Sequence, residues 1–413
     1  MGALETKIID SILGILNPQK IFQAKISGDS SKLVFNNEKH IPMSLSSKIH
    51  IIGLGKAASY EVRAVRDHLE SLLPFEQIGK TLAYTKEGHI LNDSRMIELE
   101  GSHPYMSEGN VKQTDIFISH LLQIKEDDII VFLLSGGASS LLMKPVTSLE
   151  IDKLIKINRL LVQSGKNINE MNMVRKGMSE VKNGGLLKYI KSKNIIQFIN
   201  CDIPNMELGD VGSGPLIYND LNYSMINKFL YEHQVSLPVK ASHIKEVHSF
   251  ISSSAEKLIN EFAETWNQEV FKGRIYDDIL SNVLADMKKV LEDKKPLFFI
   301  SGGEATINIP KSSGKGGRNT HFVLAFAQLI YSFAEFRNYK ILSFGTDGGD
   351  GPTDAAGAYI DYSLFKNNEK NALSALENFD SYHFFEKINT LIKTGPTGTN
   401  VMDFRVIWRD ELA

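Results

Sequence analysis

Cysteine is nearly absent from this chain, because Cys201 is the single cysteine among 413 residues. One thiol cannot close an internal disulfide, and it excludes zinc sites built from several cysteines. Such scarcity is typical of a reducing compartment, so we expect a cytoplasmic protein. No apolar run approaches the roughly 20 residues that span a bilayer, and the first residues lack the order of a secretion signal. We therefore expect no membrane partner.

An excess of positive charge is also lacking, since Lys and Arg number 46 and Asp and Glu 49, a net charge of −3. A protein that binds a nucleic-acid backbone through its overall charge needs the opposite balance, so we expect no nucleic-acid partner. The H-E-x-x-H pattern of zinc proteases and the G-x-S-x-G pattern of serine hydrolases are both missing. A length of 413 residues exceeds one compact core, so two domains are expected.

Short apolar segments, many of them followed at once by glycine and small hydroxyl residues, alternate with segments of helical spacing. Strands are predicted over residues 48–53, 81–85, 128–134, 195–200, 297–300, 340–344 and 404–408. Strand–turn–helix alternation indicates α/β architecture in both halves. We predict an N-terminal domain over 1–240, a mostly helical connection over 241–295 and a C-terminal domain over 296–413. Ligands of open α/β sheets bind at the carboxyl ends of strands, where these glycine loops fall.

The loops of the first half suggest anion binding. In Gly53–Ala58, Gly55 allows close approach of a ligand, and Lys56 can neutralise a phosphoryl group. A solvated lysine is the alternative, but a cation at a helix N-terminus is unfavourable. A second loop, containing Ser135, Gly136, Gly137 and Ser139, forms a nest for a carboxylate or phosphate, and a serine N-cap is the alternative.

Isolated polar residues add to this set. His103 is a further candidate for substrate binding, although a lone histidine is more often structural. Asp202 follows a predicted strand, where contact with a metal or hydroxyl and a capping role are equally good interpretations.

The second half supplies cations and acids. Gly303 and Glu304 end a strand, and Arg318 is predicted in the first turn of a helix, where a bound anion would offset its conflict with the helix dipole. Asp347 and Asp350 lie in a glycine-rich loop that could hold a hydrated magnesium ion, although acids of this kind also cap turns. Residues 394–400 form a further hydroxyl-rich turn.

Taken in order, these loops resemble the class II glycerate kinases, the glycerate 2-kinase family with a C-terminal MOFRL domain. The resemblance is carried by residues 53–57, 135–139, 172–176, 212–215, 301–304, 314–319, 347–357 and 394–401, and it covers nearly the whole chain. The segment 351–357, Gly-Pro-Thr-Asp-Ala-Ala-Gly, is specific by itself. Departures at Thr320, His321, Gly349 and Met402 bear on substrate preference rather than on the reaction class.

The resemblance implies a Rossmann-like parallel-sheet N-terminal domain and a smaller α/β C-terminal domain of the MOFRL type. It implies ATP and Mg²⁺ as cofactors, D-glycerate as substrate and 2-phosphoglycerate as product. The family's important lysine and arginine correspond to Lys56 and Arg318. A homodimer is one assembly that we consider.

The residues are therefore assigned as follows. Predicted catalytic residues are Lys56, Arg318 and Asp202, and predicted metal ligands are Asp347 and Asp350. Substrate or phosphate binding is predicted for Gly55, His103, Ser135, Gly136, Gly137, Ser139, Gly303, Glu304, Asn319, Thr397 and Asn400.

Two other functions compete with the kinase. The Gly53-x-Gly55 turn is compatible with an NAD(P)H-linked hydroxypyruvate reductase, a label that members of this family have often carried. A non-catalytic sugar-acid or nucleotide-binding protein is the third hypothesis, and the density of charged loop residues argues against it.

Overall fold

Helices and strands alternate along the chain in the computed structural model, which describes residues 2–44, 46–163, 168–203, 207–231, 235–237, 245–266, 268–310 and 313–409. The helices are α1 (Ala3–Ile15), α2 (Pro18–Lys25), α3 (Ala58–Leu72), α4 (Glu108–Leu121), α5 (Ala138–Leu141), α6 (Ile151–Gln163), α7 (Ile168–Met178), α8 (Tyr223–Tyr231), α9 (Ala255–Thr265), α10 (Leu280–Lys294), α11 (Arg318–Tyr331), α12 (Tyr362–Asn367), α13 (Glu369–Glu377) and α14 (Ser381–Lys387). Short 3₁₀ turns cover Phe75–Gln77, Gly185–Tyr189, Val211–Ser213 and Ala334–Phe336.

The strands are β1 (Ile26–Asp29), β2 (Lys32–Phe35), β3 (Lys39–Pro42), β4 (Ile49–Leu54), β5 (Ile78–Lys86), β6 (Ile97–Gly101), β7 (Ile129–Leu134), β8 (Asn194–Cys201), β9 (Val247–Ser254), β10 (Val270–Ile279), β11 (Phe298–Thr306), β12 (Tyr339–Gly345), β13 (Gly357–Ile360), β14 (Leu391–Ile392) and β15 (Asp403–Arg409). They form a small antiparallel sheet, β1-β2-β3, and two six-stranded sheets. Among the described residues, no helix combines the length and apolarity needed to cross a membrane.

The chain divides into two compact units. The N-terminal unit comprises Pro18–Cys201 and Asn205–Ser252, and the C-terminal unit comprises Met1–Asn17, Asp202–Pro204 and Ser253–Ala413. The predicted domain limits, 1–240, 241–295 and 296–413, stay a prediction, and the boundary at residues 240 and 241 lies outside the described residues.

A sheet of order β6-β5-β4-β7-β8-β9 forms the centre of the N-terminal unit, and its pairs from β6 to β8 are parallel. Alternate residues of β7 belong to two hydrophobic clusters, with Phe132 packed beside α4 and Val131 beside α3. A strand covered on both faces must be apolar throughout, which explains the uninterrupted run in β7. The predicted parallel α/β sheet is therefore confirmed.

The second six-stranded sheet, of order β10-β11-β15-β12-β13-β14, belongs to the C-terminal unit. Strands β10 and β11 are parallel, whereas β11, β15, β12, β13 and β14 pair antiparallel in turn. Helices α10 and α11 contribute to the cluster on one face, and α1 and α9 to the cluster on the other. The predicted second α/β region is confirmed, with a mixed sheet at its centre.

The segment 241–295 departs from its predicted, mostly helical character. It contains α9 and α10 but also β9 and β10, which are the edge strands of the two large sheets. Most side chains of β10 are exposed or half-buried, because an edge strand faces solvent along one side. Polar edge strands lack the apolar run that marks a central strand, so the sequence pattern did not identify them.

Candidate functional site

Two loops at the carboxyl ends of β4 and β7 bond directly to each other in the N-terminal unit. The Lys56 amide donates to the Gly136 carbonyl at 2.9 Å, and the Ala57 amide donates to Ser135 Oγ at 3.1 Å. Ser135 is fully buried. Ser135 and Gly136 therefore brace the loop that carries Lys56.

The backbone amides of this first loop are all used within the protein. Besides the two amides above, Gly55 donates to the Tyr84 carbonyl and Ala58 to the Gly55 carbonyl. These amides already have acceptors within the protein and are therefore not offered to a phosphate. Gly55 is required instead for close packing, because its φ is +123° and a Cβ would lie 2.3 Å from the Ser135 carbonyl oxygen.

The Lys56 side chain, Gly137 and His103 lie side by side. A Cβ on Gly137, whose φ is +82°, would lie 3.0 Å from Lys56 Cγ and 3.1 Å from His103 Nε2. Lys56 is half-buried, and its ammonium has no hydrogen bond or ion pair with any residue that the structure describes. An uncompensated cation at the end of a parallel strand is suited to binding an anionic ligand.

His103 is held neutral. Burial, together with the nearby charge of Lys56, lowers the pKa of His103 to about 4. At neutral pH the ring therefore serves as a hydrogen-bond donor and acceptor, and not as a second cation. The neighbouring Ser139 is half-buried and exposes its side chain to the same region.

A cavity of about 290 Å³ opens beside His103, wholly within the N-terminal unit. It is lined by His103, Pro104, Tyr105, Met106, Ser139, Ser140, Ile155, Asn158, Arg159 and Arg175. Its volume is close to the lower end of ligand pockets, about 300 Å³. Sequence reasoning missed Arg159 and Asn158, and it gave Arg175 no role beyond membership in the motif 172–176.

In the C-terminal unit, Arg318 is the first residue of α11, as predicted. Its guanidinium donates to both carboxylate oxygens of Glu304, at 2.5 and 2.8 Å, and through Nε to Asp403 at 2.8 Å. Burial lowers the pKa of Arg318, but Asp403 and Glu304 outweigh it and raise that pKa above its ordinary value. Carboxylates of the protein itself, rather than a bound anion, therefore offset the cation at this helix N-terminus.

Asp403 and Arg405 are the central residues of this network, and sequence reasoning assigned a role to neither. Both are about 1% exposed. Asp403 accepts from Arg318 and from Asn319 Nδ2, while Arg405 donates to the carbonyls of Gly302 and Gly303. The alternation of charged and apolar residues in β15 was the available signal, since a charge on a buried strand needs a partner.

Two predicted ligand-binding residues have structural partners instead. Asn319 is buried, and its amide group bonds to Ser343 and Asp403. Asp350 accepts from the backbone amides of Asn319 and Thr320 at 2.8 and 2.9 Å, so it caps α11. Burial raises the pKa of Asp350 to about 6, against the lowering effect of those amides. Its carboxylate is thus occupied, which argues against a role as a metal ligand.

Asp347 is the more accessible acid of the glycine-rich loop. It is half-buried, and Oδ1 accepts from the Gly349 amide at 3.0 Å. A Cβ on Gly345 would lie 3.3 Å from Asp347 Oδ1 and 3.6 Å from Asn319 Nδ2, so Asp347 adjoins the Arg318 network.

The hydroxyl-rich turn packs against this acidic loop. The Thr397 amide donates to the Asp347 carbonyl, and the Thr397 hydroxyl to the Thr346 carbonyl. Asn400 is buried and donates to Asp202 at 3.3 Å. Thr397 thus lies beside Asp347, whereas Asn400 and Asp202 form a separate contact.

Magnesium would have to be bound largely by a substrate's own oxygens. Within the part of the chain that the structure describes, no three His, Cys, Asp or Glu side chains are grouped as a metal site. Mg²⁺ commonly binds one or two carboxylates together with substrate phosphates and water, a mode that Asp347 alone can serve.

The fold and these loops define a two-unit α/β protein with a candidate anion-binding site in its N-terminal unit. Comparison with known families agrees, because the family described as "Domain of unknown function (DUF4147)" matches residues 4–246 and the MOFRL family matches residues 297–403. The chain belongs to the class II glycerate kinase family that combines these two domains.

Relatives cover nearly the whole chain. A glycerate 2-kinase from Pyrococcus horikoshii is 29% identical over 96% of this chain and 92% of its own length. The crystal structure of a glycerate kinase from Thermotoga maritima is 26% identical, covers 98% of this chain and 99% of its own, and has a TM-score of 0.80. An Agrobacterium vitis relative, 28% identical over 86% of this chain and 98% of its own length, carries a provisional hydroxypyruvate reductase name.

Proposed function

We propose that this protein transfers a phosphoryl group from ATP to the 2-hydroxyl of D-glycerate, giving 2-phosphoglycerate. The observation that carries the proposal is the Lys56 side chain, which lies beside His103 and Gly137 at the carboxyl ends of β4 and β7 and whose ammonium has no ion pair with a described residue. The reaction itself is proposed from relatives that cover most of the chain and are named glycerate 2-kinase and D-glycerate 2-kinase. We retain a cytoplasmic location and a homodimer as expectations from the sequence.

Phosphoryl transfer depends mainly on positioning and on neutralisation of charge. Lys56 neutralises charge on the transferring group, because no carboxylate in the described part of the chain pairs with its ammonium. His103, held neutral by burial, hydrogen-bonds a substrate hydroxyl, and Ser139 contributes a second hydroxyl contact. Ser135, Gly136 and Gly137 act by fixing the shape of the two loops.

On the C-terminal unit, Asp347 is our candidate to hold Mg²⁺ together with the phosphates of the nucleotide. The ion would neutralise phosphate charge there. Thr397 supports the loop that carries Asp347, because its amide donates to the Asp347 carbonyl and its hydroxyl to the Thr346 carbonyl. Glu304 and Asp403 leave two guanidinium N–H groups of Arg318 unused, and these two groups donate hydrogen bonds to the phosphates.

The test is turnover with ATP, Mg²⁺ and D-glycerate, with the phosphorylated carbon identified by NMR. Lys56→Ala should lower turnover on the order of 10³-fold with folding intact, by analogy with removal of a catalytic cation. Lys191→Ala, which removes an exposed lysine of the same unit, is the matched control and should leave turnover unchanged. Near-native turnover of Lys56→Ala would refute the role of Lys56.

The reductase remains a second candidate because of the Agrobacterium vitis relative's name. Dinucleotide enzymes of the Rossmann type bind pyrophosphate at the first glycine turn and the following helix N-terminus. Here the amides of residues 55–58 already have protein acceptors, which disfavours that mode. We expect no loss of NADH absorbance with hydroxypyruvate, and substrate-dependent loss would favour the reductase.

A further inference from the structure

Arg175, at the wall of the cavity beside His103, has no counter-ion among the residues that the structure describes. It belongs to α7, and its buried Nε has no acceptor. Burial lowers the pKa of Arg175, and no neighbouring carboxylate opposes that effect. Burying a guanidinium without a partner is unfavourable, so the arrangement calls for an explanation outside the protein's own bonds.

The buried arginines Arg66 and Arg405 have acidic partners, although each also leaves one nitrogen without a hydrogen bond. Arg66 is about 1% exposed and bonds to Asp67 and Asp93, each at 2.7 Å. Arg405 donates to two backbone carbonyls and lies 3.5 Å from Asp403. Arg175 lacks such partners among the described residues, which points to an anionic ligand as its partner.

The remaining lining strengthens the same conclusion. None of the described residues that line the cavity is acidic, and Arg159 on α6 adds a second cation that is exposed and makes no ion pair with a described residue. Asn158, about 5% exposed, donates to the Leu154 carbonyl but leaves Oδ1 without a donor. Two cations together with an unpaired acceptor suit a small molecule that carries both a carboxylate and hydroxyl donors.

We propose that Arg175, assisted by Arg159, binds the carboxylate of the acceptor substrate and thereby selects short hydroxy acids over neutral polyols. A planar guanidinium can bind a carboxylate through two parallel hydrogen bonds. A ligand without a carboxylate would leave the guanidinium without an anionic partner. This proposal rests on the proposed function for the identity of its substrate. Arg175 is a binding residue in this account and is not part of the transfer step.

The first experiment measures D-glycerate binding by calorimetry in the absence of ATP. Arg175→Gln should weaken D-glycerate binding at least tenfold, and Arg175→Lys should restore part of it. Glycerol, which has the same carbon skeleton without the carboxylate, should bind neither protein measurably. Arg274→Gln, which removes a largely exposed arginine of the C-terminal unit, is the matched control. Unchanged affinity of Arg175→Gln for D-glycerate would overturn the proposal.

Steady-state kinetics and thermal unfolding distinguish substrate binding by Arg175 from nucleotide binding and from a structural role. The KM for D-glycerate should rise at least tenfold in Arg175→Gln, while the KM for ATP stays within twofold. An equal rise in the KM for ATP would assign the cation to the nucleotide instead. The melting temperature should not fall, because an unpaired buried charge is removed, whereas a structural role requires a clear fall.

Failure of the proposed reaction can be distinguished from failure of this site. If the wild-type protein does not phosphorylate D-glycerate, calorimetry with D-glycerate, lactate and glycerol still tests carboxylate binding. Acid binding that is lost in Arg175→Gln then supports the site, and the absence of acid binding to the wild type overturns it.

Discussion

Replacing Glu61 with glutamine should make the stability of the protein less sensitive to pH. Glu61 lies in the first turn of α3, just after the Lys56 loop, and is about 3% exposed. Its Oε1 accepts from Asn200 Nδ2 at 3.1 Å, whereas the buried Oε2 has no partner. Burial raises the pKa of Glu61 from 4.5 to about 8, against the lowering effect of Asn200. The folded protein therefore keeps a proton that the unfolded chain releases.

The size of the effect follows from that difference in pKa. Below pH 4.5 the Glu61 carboxyl is protonated in both the folded and the unfolded state, so Glu61 does not lower the free energy of unfolding there. Between pH 4.5 and about 8 the unfolded state has released it, and the free energy of unfolding falls by about 1.4 kcal/mol per pH unit. From pH 5 to pH 7 this amounts to about 3 kcal/mol. Glutamine does not ionise, so the free energy of unfolding of Glu61→Gln does not fall with pH in this way.

The assay is urea unfolding of the wild type and Glu61→Gln at pH 5, 6 and 7. The free energy of unfolding of the variant, relative to the wild type, should rise by about 3 kcal/mol over that range. Glu76→Gln, which changes an exposed glutamate of the same unit, should give a curve parallel to the wild type. Parallel curves for Glu61→Gln as well would show that Glu61 is ionised in the folded protein and refute the reasoning.

Three further predictions concern the site residues. Asp350→Ala removes the cap of α11 and should cost about 1–2 kcal/mol in urea unfolding, and an unchanged midpoint would contradict the capping role. Asp403→Ala leaves the buried Arg405 without its carboxylate and should cost about 3–5 kcal/mol, with a smaller loss for Asp403→Asn. Equal melting temperatures for Asp403→Ala and Asp403→Asn would contradict the pairing of Asp403 with Arg405. His103→Gln should keep the wild-type pH profile of kcat/KM between about pH 5 and 8, because burial keeps this histidine neutral there. An ionisation seen in the wild type and lost in the variant would contradict a neutral His103.

The central strands were predictable because a strand buried on both faces leaves an unmistakable apolar run. The predicted strand over 128–134 corresponds to β7, and that over 404–408 to β15. The edge strands β9 and β10 were missed, since solvent on one side permits polar residues there.

The candidate site was predictable only as a set of loops. Gly55, Lys56, Ser135 and Gly137 were identified from glycine and hydroxyl patterns, and the structure brings them together with His103. What each polar atom bonds to could not be read from the pattern. Arg318 was expected to be a cation awaiting an anion, and its pairing with Glu304 and Asp403 depends on contacts 14 and 85 residues apart in the chain.

The contacts of α1 impose an order on folding during synthesis. Ile8, Ile9 and Ile12 pack in one cluster with residues of α9 and with Val406 and Trp408 of β15. Because synthesis proceeds from the N-terminus, α1 is made before β15, and its apolar face is not fully covered until β15 has been made. Chaperone binding to the nascent chain is therefore expected to include α1 until β15 has been synthesised.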